Sequence, residues 1–228
     1  MTVSQKNVAI YIWPNMTMMD AIGPHQILGY MPELNVYTFA RTTEPFKTDT
    51  GMTLTADYDL TNFPQPDILV VAGGANPLSE MEDPKVIEAI RKAGENAEYV
   101  TSVCTGSLML AQAGLLDGYK AACHWAFKDL LRQYPLVDVT DGRVVEDRNR
   151  LTGGGVTAGI DFAITLIAKV IGPEAAAAAE LVFEYQPEPP CGTGSPGTAP
   201  AELTAYVQGM IGQLTPGLSE FVGAQNSA

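Results

Sequence analysis

Tyr99-Val-Thr-Ser-Val-Cys104-Thr-Gly-Ser-Leu-Met-Leu-Ala-Gln-Ala-Gly114 is a short β-branched run that passes without a linker into a helical run closed by glycine. The first part suits a buried strand, the second a helix, and Gly114 suits a helix end. Cys104 stands at the junction. A residue in a sharp strand-to-helix turn points out of the carboxyl edge of its sheet, as in a nucleophile elbow, and the small residues Thr105, Gly106 and Ser107 make such a turn sterically open. Unpaired N–H groups of the first helical turn would stabilise a thiolate there and lower its pKa below the free value of about 8.5. The same cysteine also reads as a buried structural thiol, because free Cys packs as a small hydrophobe. Position alone leaves both readings open.

Working outward, Val8–Trp13, Val36–Ala40 and Ile68–Ala72 are further short apolar runs ended by Gly, Pro or polar residues, and they read as buried strands. Between them fall helical stretches, Ala21–Met31 and Asp83–Asn96, the latter opening on a capping Asp83 with Pro84 in the first turn. Strand and helix alternate, and the strands are continuously apolar. That pattern predicts an α/β fold with a largely parallel central sheet sandwiched by helices, whose ligands sit at the carboxyl ends of the strands. Val144–Thr152 reads as a hairpin around Asp147, Arg148 and Asn149. Gly153, Gly154 and Gly155 then lead into a helix over Ala158–Ile171. An alanine-rich helical segment follows, then the Pro/Gly-rich loop PEPPCGTGSPGTAP, a helical segment Glu202–Ile211 and a tail that reads as frayed. The loop is taken as a strap across the same domain, and 1–228 as one domain.

Of the 228 residues, 46% are apolar and 17% charged, which suits a globular chain and excludes a disordered one. The net charge of −13, with no Lys/Arg cluster, disfavours a nucleic acid or an anionic membrane surface as partner. The opening MTVSQKNVAI lacks the features of a secretory signal, and no apolar run approaches the roughly 20 residues of a membrane span. A cytoplasmic protein is expected. Cys104, Cys123 and Cys191 then read as thiols. Two histidines, His25 and His124, without CxxC or HExxH spacing, leave no expected metal site.

Several blocks resemble one family in the right order. They are MMDAIGPHQ at Met18–Gln26, AGG at Ala72–Gly74, SVCTGS at Ser102–Ser107, LAQAGLLDG at Leu110–Gly118, HW at His124–Trp125, LTGGGVTAGIDF at Leu151–Phe162, and EYQPEPPCGTGSP from Glu184. Together they resemble the DJ-1/PfpI (ThiJ/PfpI) superfamily, and most closely its isocyanide hydratase branch. The resemblance implies a flavodoxin-like fold with a cysteine nucleophile elbow, no cofactor, a small-molecule substrate and a homodimer. It implies Cys104 as nucleophile and Asp20 as general acid/base, hydrating an isocyanide to an N-substituted formamide through a thioimidate. Taken alone, an Asp before AIGP reads as a helix N-cap.

By the same resemblance the amides of Gly73, Gly74 and Thr105 line the pocket, and an N–H at the helix start, Val156 or a neighbour, contacts the sulfur. His124 has a counterpart in many relatives and is a weaker candidate than Asp20, since a side chain beside Trp125 is also readily packed. Cys123 stands where relatives more often carry a hydroxyl. It reads as structural, because adjacent strand residues face opposite ways. Three other functions fit the same blocks: a 2-oxoaldehyde-processing enzyme, a small-ligand sensor, and a redox sensor oxidised at Cys104. The related regulators carry a helix-turn-helix domain, for which the chain is too short.

Overall fold

The structure is a computed structural model and describes residues 5–225. The first four residues of the opening segment and the last three of the tail lie outside it. The strands are β1 (Lys6–Tyr11), β2 (Leu34–Ala40), β3 (Phe46–Lys47), β4 (Thr53–Leu54), β5 (Tyr58–Asp59), β6 (Ile68–Val71), β7 (Tyr99–Val103), β8 (Lys120–Ala121), β9 (Asp138–Val139), β10 (Val144–Asp147) and β11 (Arg150–Gly153). The helices are α1 (Met18–Leu28), α2 (Leu78–Met81), α3 (Pro84–Glu95), α4 (Gly106–Gln112), α5 (Lys128–Leu131), α6 (Ala158–Val170), α7 (Pro173–Val182), α8 (Ala201–Leu214) and α9 (Leu218–Gln225).

Seven strands form one sheet in the order β10-β11-β7-β6-β1-β2-β5, and every neighbouring pair is parallel except β10 with β11. Helices flank the sheet, and its central strand β6 is wholly apolar with no exposed surface on any of its four residues. From β1 the chain goes to β2 on one side and returns to β6 on the other. The order therefore reverses between β1 and β6, the place where open α/β sheets bind ligands. Val71 pairs with both Tyr11 and Ser102, so β1, β6 and β7 end level. The segments that follow them carry Asp20, Gly73 and Cys104 to one edge.

Local chemistry explains the element ends. Asp83 caps α3, its carboxylate accepting from the Lys85 amide at 2.9 Å, with Pro84 at the first helical position. Arg148 takes a left-handed φ of 54° in the tight loop joining β10 to β11, the hairpin expected there. α6 packs against α1 where a glycine permits it: a Cβ on Gly159 would lie 3.3 Å from Cδ of Pro24.

Some expectations change. The first helix starts three residues earlier than Ala21, which puts Asp20 inside its first turn rather than before it. The tail is not frayed over its described part. After Gly217, at φ 77°, the chain turns into α9 and buries Leu218 and Val222 completely, an i,i+4 apolar pair on one helix face. The two-residue strands β3, β4, β5, β8 and β9 are too short for periodicity to reveal. Among the described residues, no helix is long and apolar enough to cross a membrane.

Candidate active site

Cys104 has φ 58°, the left-handed region that non-glycine residues avoid at a cost of roughly 1–3 kcal/mol. The surroundings fix it there. Its amide donates to the Gly153 carbonyl at 3.0 Å, and its own carbonyl accepts from the Ser107 hydroxyl at 3.0 Å. The turn also requires Gly106, where a Cβ would stand 2.1 Å from the Val71 carbonyl oxygen. The sulfur is thereby aimed off the end of β7, and the side chain is almost wholly buried.

Asp20 meets Cys104 at this edge. Its carboxyl has no exposed surface, and neither oxygen makes a full hydrogen bond among the described residues. The polar groups that face it are the Cys104 thiol and the Gly73 amide. Gly73 is wedged between the two sides of the site. A Cβ there would lie 2.8 Å from Oδ2 of Asp20 and 2.5 Å from the Thr105 amide nitrogen. A bare backbone is the only fit.

Thr105 and Gly74 form a second lock. The Thr105 hydroxyl accepts from the Gly74 amide at 2.8 Å and donates to the Gly74 carbonyl at 2.6 Å. The Gly74 amide is thus engaged, which corrects the expectation that it is a free donor to a ligand. On its other side Gly74 packs on Trp13 and Met16, where a Cβ would lie 2.7 Å from the indole and 2.9 Å from the Met16 Cα. The Thr105 amide faces the Cys104 sulfur.

The electrostatics differ from a simple helix-terminus thiolate. Burial, then the Asp20 carboxylate and the Cys123 thiol, push the Cys104 thiol well above its usual range, while the Thr105 amide pulls it down. The expected lowering does not hold, because removing the sulfur from water beside a carboxyl outweighs the amide. Burial likewise pushes Asp20 up to about 7, against the Cys104 thiol and the Gly73 amide, with Asp49 adding to the rise. A carboxyl that titrates near neutrality beside a protonated thiol has the chemistry to exchange a proton with it.

A cavity of about 700 Å³ has Cys123, His124, Trp125, Lys128, Arg143, Gly154 and Val156 in its wall and Gly194–Gly197 of the strap across it. Cys104 and Asp20 are not in its wall, and Cys123, whose thiol acts on Cys104, links the pair to it. Cys123 and His124 both line it. The expectation of opposite faces fails because β8 has already ended at Ala121. Ser107 links Cys123 to the site, its hydroxyl facing the Cys123 thiol as well as the Cys104 carbonyl. His124 Nδ1 accepts from the Ala126 amide at 3.3 Å and caps the short turn Trp125–Phe127. Burial and Lys128 lower its pKa and favour the neutral ring. Val156 lines the cavity at the start of α6. His25 lies by a separate cavity with Asp57, and Cys191 is exposed on the strap.

Sequence reasoning missed Trp13, Ser107, Lys128, Arg143 and Asp49. Ser107 lay inside the quoted elbow and was read as merely small. Arg143 is placed by ion pairing with Asp161 at 2.5 Å and a bond to Thr157 at 3.1 Å, contacts across separate elements that leave no local signal. Among the described residues, no group of three or more His, Cys, Asp or Glu could hold a metal ion.

Comparison with known proteins identifies the family. The profile of the DJ-1/PfpI family matches residues 6–169. Isonitrile hydratase of Pseudomonas putida is 41% identical over 196 residues, covering 86% of both chains. The HTH-type transcriptional regulator CdhR of Pseudomonas aeruginosa is 36% identical over 58% of this chain and 39% of its own length. A ThiJ/PfpI family protein from Pseudomonas syringae superposes with TM-score 0.92 at 34% identity, over 100% of this chain and 93% of that one. The elbow, the sheet order and these matches agree: the chain belongs to the DJ-1/PfpI family.

Proposed function

We propose that this chain hydrates organic isocyanides, R–N≡C, to N-substituted formamides, with Cys104 as nucleophile and Asp20 as proton carrier. The observation that carries the reading is the juxtaposition of a left-handed elbow cysteine with a buried, otherwise unbonded carboxyl that titrates near 7. Similarity to the isonitrile hydratase of Pseudomonas putida supports the substrate class.

The reaction needs a nucleophile and a proton delivered to one carbon, and the pair supplies both. At rest the sulfur holds its proton and Asp20 is the carboxylate. As the S–C bond forms, Asp20 takes the thiol proton and passes it to the terminal carbon, giving R–N=CH–S–Cys104. Water then adds its oxygen to that carbon, with its proton passing through Asp20 to the nitrogen. In the last step the hydroxyl proton returns through Asp20 to the sulfur as the C–S bond breaks, releasing R–NH–CHO. One water is consumed and the pair is regenerated. The Gly73 and Thr105 amides face the oxygen and sulfur of the pair, and R extends toward the cavity walled by Cys123, His124 and Val156. The proposal extends, with the family resemblance, to one cytoplasmic catalytic domain working as a homodimer without a cofactor.

The test is formamide formation from an aryl isocyanide, followed by absorbance and mass, with the parent and Cys104→Ser side by side. Turnover by the parent and none by the variant is the expected result. Absence of turnover by the parent, with Cys104 still reactive to iodoacetamide, sinks the proposal.

A further inference from the structure

The turn that carries Asp20 is capped from outside its own helix. Thr17, the N-cap residue of α1, makes no side-chain capping bond. The Thr17 amide donates to the Gly73 carbonyl at 3.0 Å, and the next amide, that of Met18, donates to Oδ1 of Asp49 at 3.3 Å. Asp49 belongs to the loop between β3 and β4, and this hairpin is stitched to the segment before α1. The Asp49 amide donates to the Met16 carbonyl at 3.0 Å, the Asn15 amide to the Lys47 carbonyl at 2.8 Å, and the Thr48 amide closes the loop on the Met52 carbonyl at 2.9 Å. The first turn of α1 is therefore gripped on one side by Gly73 in the loop after β6 and on the other by Asp49. Asp20 lies two residues beyond the gripped amide.

We propose that Asp49 is a positioning residue for Asp20, supplying in trans the N-cap of the turn that carries it and setting a second negative charge beside its carboxyl. This deepens the proposed function and rests on its reading of Asp20. The capping role follows from the accounting of helix-start amides: without Asp49, the Met18 N–H loses its partner. The electrostatic role follows from the groups acting on Asp20, namely the Cys104 thiol on the elbow, the Gly73 amide, Asp49 on the hairpin, and Cys123, which feels Asp20 in turn. None is cationic, so Asp49, whose charge favours the protonated acid, is opposed by the hydrogen bonding of the Cys104 thiol and the Gly73 amide and by no opposite charge. Asp49 is itself exposed, so its influence is open to screening by salt.

Asp49→Asn and Asp49→Ala separate the two roles, since Asn keeps the acceptor oxygen and loses the charge. Two readouts are needed: the Asp20 carboxyl titration by carbon-13 NMR, and the pH dependence of isocyanide hydration. In Asp49→Asn at low salt the carboxyl midpoint moves to lower pH by roughly 0.3 unit, and the shift shrinks at about 0.5 M salt. The ascending limb of the rate profile moves with it at unchanged plateau. In Asp49→Ala the plateau rate also falls several-fold, because the turn is no longer capped. An unmoved carboxyl midpoint in Asp49→Asn at low salt overturns the electrostatic role, and full plateau rate with unchanged thermal stability in Asp49→Ala overturns the capping role. A carboxyl midpoint that moves while the rate profile stays fixed supports the tuning of Asp20 and counts against Asp20 as proton carrier, so the two failures are distinguishable.

Discussion

The Thr105 hydroxyl holds Gly74 by both of its backbone polar groups, accepting from the amide at 2.8 Å and donating to the carbonyl at 2.6 Å. Thr105 has no exposed surface and Gly74 is buried, so the lock ties the loop after β6 to the first residue beyond the Cys104 elbow where water cannot substitute. It fixes Gly73 and Gly74 against Cys104 from one side while Asp20 approaches from the other.

Thr105→Val keeps the shape and removes the hydroxyl, leaving a buried amide and carbonyl unpaired. Chemical denaturation should register a loss of about 2–4 kcal/mol, and the hydration rate should fall with it as the loop drifts from the sulfur. Thr105→Ser should recover most of both. Wild-type stability in the valine variant would show that the two bonds are dispensable.

Gly73→Ala is the sharper steric test. The added methyl would meet the Thr105 nitrogen at 2.5 Å and Oδ2 of Asp20 at 2.8 Å, so the acid and the elbow must part. A rate loss on the order of 10²-fold is expected for a displacement of about 1 Å, in a protein whose circular dichroism still reports the sheet. Near-normal turnover would mean that the contact between Asp20 and the elbow is not needed for the chemistry.

Asp20→Asn should stabilise the protein at high pH. The folded carboxyl titrates at about 7 against 3.8 unfolded, so between those values the folded state binds more protons and stability falls as pH rises. Removing the carboxyl removes that loss. Thermal melts should therefore favour the variant by on the order of 3–4 kcal/mol more at pH 8 than at pH 3. A difference that does not grow with pH would place the carboxyl in a more hydrated setting than its burial indicates.

The three thiols should separate by access. Cys191 is exposed on the strap, whereas Cys104 and Cys123 are buried. A bulky maleimide should label Cys191 first, as read by peptide mass. Cys191→Ser should leave hydration unchanged, and Cys123→Ser should retain it within about ten-fold, since Cys123 is next to the pair without carrying its proton. Loss of all turnover in Cys123→Ser would assign the chemistry to the wrong sulfur.

Much of this was legible in the residues, and the rest was not for identifiable reasons. The strand Tyr99–Val103 and the hairpin around Arg148 fell where breaker residues and apolar runs put them, because local steric rules govern both. The pairing of Asp20 with Cys104 came from the family resemblance, and the parallel sheet accounts for it, since it delivers successive strand ends to one edge. What pattern reading missed depends on contacts distant in sequence. The Gly74 amide looked free until the Thr105 hydroxyl, 31 positions away, took it. Asp49 sits in an exposed loop whose sequence has no periodicity, and its role comes from the amide it meets on α1. The acidity of Cys104 was misjudged because a helix start is visible in sequence, whereas the depth of burial that opposes it is not.

The most direct test of the Cys104–Asp20 pair is the pH dependence of kcat/KM for an aryl isocyanide, measured for the parent and Asp20→Asn. The pair works with one proton, so the parent should show a limb that rises through the Asp20 midpoint, near pH 7. Asp20→Asn should lose that limb and fall by roughly 10²-fold or more at its plateau. Full activity in Asp20→Asn with the limb intact would contradict the account, because the proton would then reach the isocyanide carbon by another route.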